Sequence, residues 1–143
     1  MSVEDRAARQ RELAAQLEGR SDQEITLGVE AQGVDTVLDQ IFSGMAEAFV
    51  PARAAGQSAV VQYDINTSSG VRTYQLRVAD GRCDVVKGGG GSPARVTLQL
   101  ALADFMRLVA GILNGPQAFM QGKLKIGGDL MFAQVMQTWF QPA

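Results

Sequence analysis

Few residues in this 143-residue chain are placed to do covalent or acid–base chemistry. Histidine is absent, and the single cysteine, Cys83, has no lysine nearer than Lys87 to favour its thiolate, so a catalytic thiol is not expected. Serine chemistry lacks its base for the same reason, and no grouping of cysteine with histidine exists to hold a metal. Tyr63, Asp64, Tyr74, Asp84 and nearby arginines remain as acid–base candidates, but they form no recognisable constellation. Asp104 and Asp129 each stand immediately before a helical period, which marks them as helix caps rather than an acid and base pair. The glycine run 88–91 invites a phosphate-loop reading. It leads, however, into SPARVTLQL, a strand signal with no helix start and no following Lys-Ser or Lys-Thr, so it reads as a loop between two strands. Lys123 and Lys125 could meet a phosphate or anionic head groups, but on the outer face of a strand they read as solubilising charges that protect an edge. No catalytic residue, metal or cofactor is expected.

The chain is better equipped for apolar binding. FMQGKLKIGGDL at 119–130 leads into MFAQVMQTWF at 131–140, where Phe132, Val135, Met136, Trp139 and Phe140 recur at helical spacing. Gln134, Gln137, Thr138 and Gln141 occupy the other side. Met106, Met120, Met131 and Met136 all fall in the C-terminal third, and unbranched thioethers repack around ligands of different shape or fill gaps in a core. A face of this kind either completes a core or covers a cavity that holds something apolar.

The elements that would position this face follow from period and punctuation. Residues 3–19 favour helix by composition but offer only Leu13 and Leu17 as an apolar stripe, so their stability depends on docking. Ser21 with Glu24 reads as a capping box for a second short helix to about Gln32. Asp35 then caps a stronger helix with Val37, Leu38, Ile41, Phe42, Met45 and Phe49 on one face, ending before Pro51. From residue 59 the period becomes two: Val61, Tyr63 and Ile65 share a face, SSG turns the chain, and Tyr74, Leu76 and Val78 share the face of a partner strand. Asp80 and Gly81 turn into RCDVVK, and Val96, Leu98 and Leu100 alternate with Arg95, Thr97 and Gln99. Asp104 is expected to cap a helix with Phe105, Met106, Leu108, Val109, Ile112 and Leu113 inward, closed by Asn114 and Gly115. Pro116 starts a short helix ended by Gly122, Leu124 and Ile126 form a last strand, and Asp129 caps a closing helix over 130–140. Such segregation implies an α+β two-layer fold, with an antiparallel-rich sheet of about five strands covered on one face by helices.

Size and charge narrow the field further. A chain of this length fits one domain with a substantial core. Net charge is −2, and all of it resides in residues 4–24, so no basic face is available to neutralise phosphates and nucleic acid is not an expected partner. The charged N-terminus reads as a solvated appendage. The start MSVEDRAARQ has no apolar h-region, and Asp104 and Arg107 interrupt the most apolar later stretch, so neither secretion nor membrane insertion is expected and a cytoplasmic setting is.

The order of elements, the Asp104 and Phe105 start of the middle helix, and GKLKIGGD at 122–129 resemble the sterol carrier protein 2 (SCP2-like) family. The resemblance runs from about residue 34 to the end, which divides the chain into a charged helical extension, 1–33, and an SCP2-like lipid-binding domain, 34–143. It implies a sheet covered by helices around an apolar tunnel that takes up sterols, fatty acids or fatty acyl-CoA. By the same resemblance the cavity is lined by one face of the sheet and by Phe105, Met106, Val109, Phe119, Met120, Phe132, Val135, Met136, Trp139 and Phe140. The chain departs from some members in ending QPA, without a peroxisomal address, and its extension marks it as a bacterial single-domain variant. The leading expectation is non-catalytic binding or carriage of a lipophilic small molecule. The rivals are a biosynthetic enzyme that shapes a hydrophobic substrate in the same cavity, by cyclisation or isomerisation, and an accessory interaction domain, with a homodimer left open.

Overall fold

The computed structural model describes residues 3–88 and 93–140. Its elements run α1 (Val3–Leu17), α2 (Asp22–Gln32), α3 (Val34–Glu47), α4 (Pro51–Ala54), β1 (Ala59–Thr67), β2 (Gly70–Ala79), β3 (Arg82–Lys87), β4 (Val96–Ala101), α5 (Leu102–Ala110), α6 (Gly115–Met120), β5 (Leu124–Gly128) and α7 (Leu130–Met136), closed by a 3₁₀ turn at Gln137–Trp139. The sheet order is β3-β2-β1-β4-β5. Every neighbouring pair is antiparallel except β1 with β4, so the fold is α+β with a mixed, mostly antiparallel sheet.

Register explains why one face of the sheet is continuous. Tyr63 lies opposite Tyr74 on one side and Leu98 on the other, while Val61 lies between Leu76 and Val96. Because side chains alternate with period two, these rows place their apolar side chains on the same side. There α3 meets β2 and β3, α5 meets β1 and β4, and α7 meets β4 and β5. The opposite face carries a polar ladder in which Arg77 donates to Gln75 at 2.8 Å, Gln75 to Gln62 at 2.9 Å and Thr73 to Asp64 at 2.9 Å. The Asp80–Gly81 turn between β2 and β3 has positive φ at both residues, 54° and 72°, as a two-residue hairpin loop of this twist requires.

Several helix boundaries differ from the sequence reading. The capping box at Ser21 and Glu24 is present, but Asp35 does not cap α3, which starts at Val34 after Gly33. Asp35 sits in the first turn, where a negative charge also suits the helix dipole, and pairs with Arg72 at 3.0 Å. Asp104 likewise lies inside α5: the chain passes from β4 into the helix at Ala101 without a side-chain cap, burying Leu102 and Ala103. Asp104 is buried, and its carboxylate accepts from Arg107 at 3.1 Å. The helix ends at Gly111, whose φ is 79°, and Asn114 instead caps α6 by accepting from the Gln117 N–H at 2.8 Å. The glycine-loop reading falls largely on residues outside the described ones.

The N-terminal helices are part of the packed structure rather than a solvated appendage. Leu17, Ile25 and Val29 join the core, and α1 and α2 both pack on α5. Arg107 fastens them by pairing with Asp22 at 2.5 Å and donating to the Arg20 carbonyl at 3.3 Å. The thin stripe of Leu13 and Leu17 suffices because it has a surface to dock on.

The closing segment is held at both ends. Asp129 caps α7 by accepting from the Phe132 N–H at 3.0 Å and pairs with Arg95 at 3.3 Å, whose guanidinium stacks 4.0 Å from the Phe132 ring centre. Gly128, at φ 89°, precedes it where a Cβ would collide with the Arg95 carbonyl, so no other residue fits this approach. At the far end the Val50 N–H donates to the Trp139 carbonyl at 2.7 Å, and Phe49 packs on Phe140. The bond from the Phe132 N–H, followed by the hydrogen bond and charge of Arg95, holds the Asp129 carboxyl below its usual range. A depressed folded-state value means that the stabilisation is complete above the unfolded value and is lost as pH falls through the folded one. The melting-temperature gap between wild type and Asp129→Ala is therefore expected to stay constant from pH 8 to pH 5 and to narrow below about pH 4. A gap unchanged down to pH 2 would show that the charge contributes nothing.

Candidate functional site

A cavity of about 1370 Å³ opens between the helical layer and the sheet. Its floor is the apolar sheet face, with Tyr63 of β1, Leu98 and Leu100 of β4 and Leu124 of β5. Ile41 and Met45 of α3, with Ala48 just beyond its end, form one side, and Phe105, Leu108 and Val109 of α5 form the other, continued by Leu113. Met136 reaches it from α7 and Leu13 from α1. The buried lining residues are apolar apart from the hydroxyl of Tyr63, while the other polar ones, including Arg9, Gln40, Ser43 and Gln137, are solvent-exposed and mark the rim, with Gln10 half-buried among them. An apolar interior with a polar rim is suited to a lipophilic molecule that keeps one end in water.

The α1 wall is fixed by more than hydrophobic contact. Gln10 donates its amide to the Val109 carbonyl at 3.1 Å, across the C-terminal end of α5. Its amide nitrogen would lie only 3.2 Å from a Cβ at Gly111, so glycine there admits the side chain. At the opposite end, Gln137 similarly covers Gly115.

Of the residues expected at a binding site, Phe105, Val109 and Met136 line this cavity. Phe132 and Trp139 are buried against each other, edge to face at 5.3 Å, and Met106 is 5% exposed in the core. Phe140 packs half-buried on Phe49. Phe119, Met120 and Val135 are exposed, at 46%, 85% and 47%. Val135 stands apart from its helix neighbours because α7 buries Phe132, Ala133 and Met136, a stripe whose centre lies about 100° away around the helix. The lining residues that the sequence did not single out for binding come mainly from α3 and α1. Their signal was the apolar face of α3 and the Leu13 and Leu17 stripe.

Among the described residues nothing in the geometry activates the Cys83 thiol. Burial, followed by the neighbouring Asp84 charge, pushes the Cys83 thiol up to about 12, which leaves it protonated at neutral pH. Burial also raises Tyr63, and for Tyr74 burial acts together with a hydrogen bond to Asp39. Among the described residues no cluster of cysteine, aspartate and glutamate could hold a metal ion, and no helix is long and apolar enough to cross a membrane.

Comparison with known proteins agrees with this architecture. A model of the SCP-2 sterol transfer family matches residues 38–141. The chain is 36% identical over 81 residues to peroxisomal multifunctional enzyme A of Dictyostelium discoideum, a stretch that is 55% of this chain but only 18% of that enzyme. The crystal structure of sterol carrier protein 2 like 2 from Aedes aegypti superposes with a TM-score of 0.60 at 25% identity, covering 76% of this chain and 96% of that one. The solution structure of the palmitated Aedes aegypti protein gives a TM-score of 0.60 at 27% identity, covering 73% and 91%.

Proposed function

The chain belongs to the SCP-2 sterol transfer family, and from that membership we propose that it binds and carries a lipophilic small molecule in the cavity between its sheet and helices. The cavity itself carries the proposal, since its floor and both sides are apolar and its polar residues gather at the rim. A fatty acid is the ligand class best supported, because the related Aedes aegypti protein is palmitated. In this reading the acyl chain lies over Leu98 and Leu100 between α3 and α5, and its head group remains among the exposed polar residues. Residues 34–143 form the lipid-binding unit and residues 1–33 an extension that closes one wall of it.

Binding in such a site rests on apolar area removed from water. Affinity for a series of saturated fatty acids is expected to rise by about fourfold per methylene buried, until the cavity is full. Calorimetric titration measures this, and native mass spectrometry of the protein isolated from its own cells identifies what it carries. An empty protein that also shows no saturable binding of fatty acid, acyl-CoA or sterol would overturn the proposal. A second reading, an accessory domain serving an enzyme, draws support from the stretch shared with a multifunctional enzyme.

A further inference from the structure

The cavity contains one polar group that its apolar surroundings do not account for. Tyr63 is 8% exposed, and its ring is held edge-on by Phe42 at 5.2 Å and Phe105 at 6.2 Å. Tyr74, its direct cross-strand neighbour, donates its hydroxyl to Asp39 at 2.5 Å. The Tyr63 hydroxyl makes no such bond among the described residues, although no fully enclosed polar side-chain atom there lacks a partner. It is therefore not enclosed, and the open space that Tyr63 adjoins is the cavity. Around it stand Leu98, its neighbour on β4, and Phe105, neither of which offers a side-chain hydrogen bond.

We propose that the Tyr63 hydroxyl is a recognition group, and that the site prefers a lipophile carrying a neutral oxygen, hydroxyl or carbonyl, within its apolar body. This rests on the carrier reading above and names the ligand class more closely. The physical reason is asymmetry. A phenol without a protein partner bonds only the water that reaches it, and once a ligand displaces that water, an oxygen placed against the phenol recovers the bond. A plain alkyl chain covers the hydroxyl without satisfying it, so the group discriminates between otherwise similar chains. Because burial holds the phenol protonated, it serves as a neutral donor and acceptor and does not select for charge.

Tyr63→Phe removes this oxygen and little else. Titration of both proteins with octadecanoate, and with its mono-hydroxylated derivatives carrying the hydroxyl at successive carbons, reads the preference directly. For at least one hydroxyl position, the substitution is expected to weaken binding by about three- to tenfold, while octadecanoate binds equally well or more tightly. Thermal unfolding of the ligand-free protein supplies a readout independent of any ligand. Tyr63→Phe is expected to melt at or above the wild-type temperature, since no protein hydrogen bond is lost. A lower melting temperature, or equal effects on all fatty acids, would overturn the inference while leaving the carrier reading intact. Failure of the wild type to bind any fatty acid in the series would overturn the inference, and it would count against a fatty-acid carrier as well.

Discussion

Replacing Phe42 with Ala is expected to destabilise the protein by about 3–5 kcal/mol, the upper part of the range for single core substitutions. Phe42 is fully buried on α3, with its ring stacked on Tyr74 at 4.2 Å and on Phe105 at 5.3 Å and meeting Tyr63 edge-on at 5.2 Å. It thus joins the helical layer to two central strands and to α5 in one aromatic cluster. Removing it forfeits the transfer of the ring from water and the aromatic pair geometry, and it leaves a void that its rigid neighbours cannot close. Urea unfolding monitored by circular dichroism measures the change. A loss below about 1 kcal/mol would mean that the layers are joined elsewhere. The same substitution is expected to loosen Tyr63, so ligand selectivity should decline together with stability.

The sheet was legible in the sequence because alternation assigns faces without knowledge of partners. Val61 and Tyr63 lie opposite Leu76 and Tyr74, with Val78 opposite Ala59 and Ile65 opposite Arg72, so the two apolar sets share a face as the period implied, offset by one pair along the hairpin. Alternation does not say which strands are neighbours, so the parallel pairing of β1 with β4 was not accessible from it. Helix starts were legible where a single polar side chain precedes the apolar run, as at Asp129. They were misread at Asp35 and Asp104, because an acid in the first turn is favoured by the same N-terminal field that favours an acidic cap, and composition cannot separate the two positions. The candidate site was legible only as a set of apolar faces. Periodicity found those of α5 and the closing helix, but whether a face opposes another side chain or open space depends on how far apart the layers sit. That spacing is set by residues distant in sequence, such as Leu13 on α1 and Ile41 on α3. The N-terminal helix illustrates the limit: its two leucines were visible, and the α5 surface that receives them was not.

A lysine introduced at Met136 should weaken binding strongly, whereas one introduced five residues earlier should not. Met136 is 3% exposed and faces the cavity, whereas Met131 on the same helix is 77% exposed. The two substitutions add the same charge to the same element, so any difference between them isolates position. At 136 the ammonium would have to enter apolar surroundings without a counter-ion or swing out and disrupt the helix packing. Either outcome is expected to lower fatty-acid affinity by more than about tenfold, because an unpaired buried charge costs several kcal/mol. At 131 the charge stays in water and both affinity and melting temperature remain at the wild-type values. Trp139, the only tryptophan, lies one helical turn beyond Met136 and fully buried, so its emission reports ligand entry at this end of the cavity. If Met136→Lys does not fold, Met136→Gln makes the same comparison with a neutral polar group. A folded Met136 variant that binds as tightly as Met131→Lys would mean that the ligand does not occupy this cavity. The exposed methionines of α6 and α7 would then be the apolar surface left to explain.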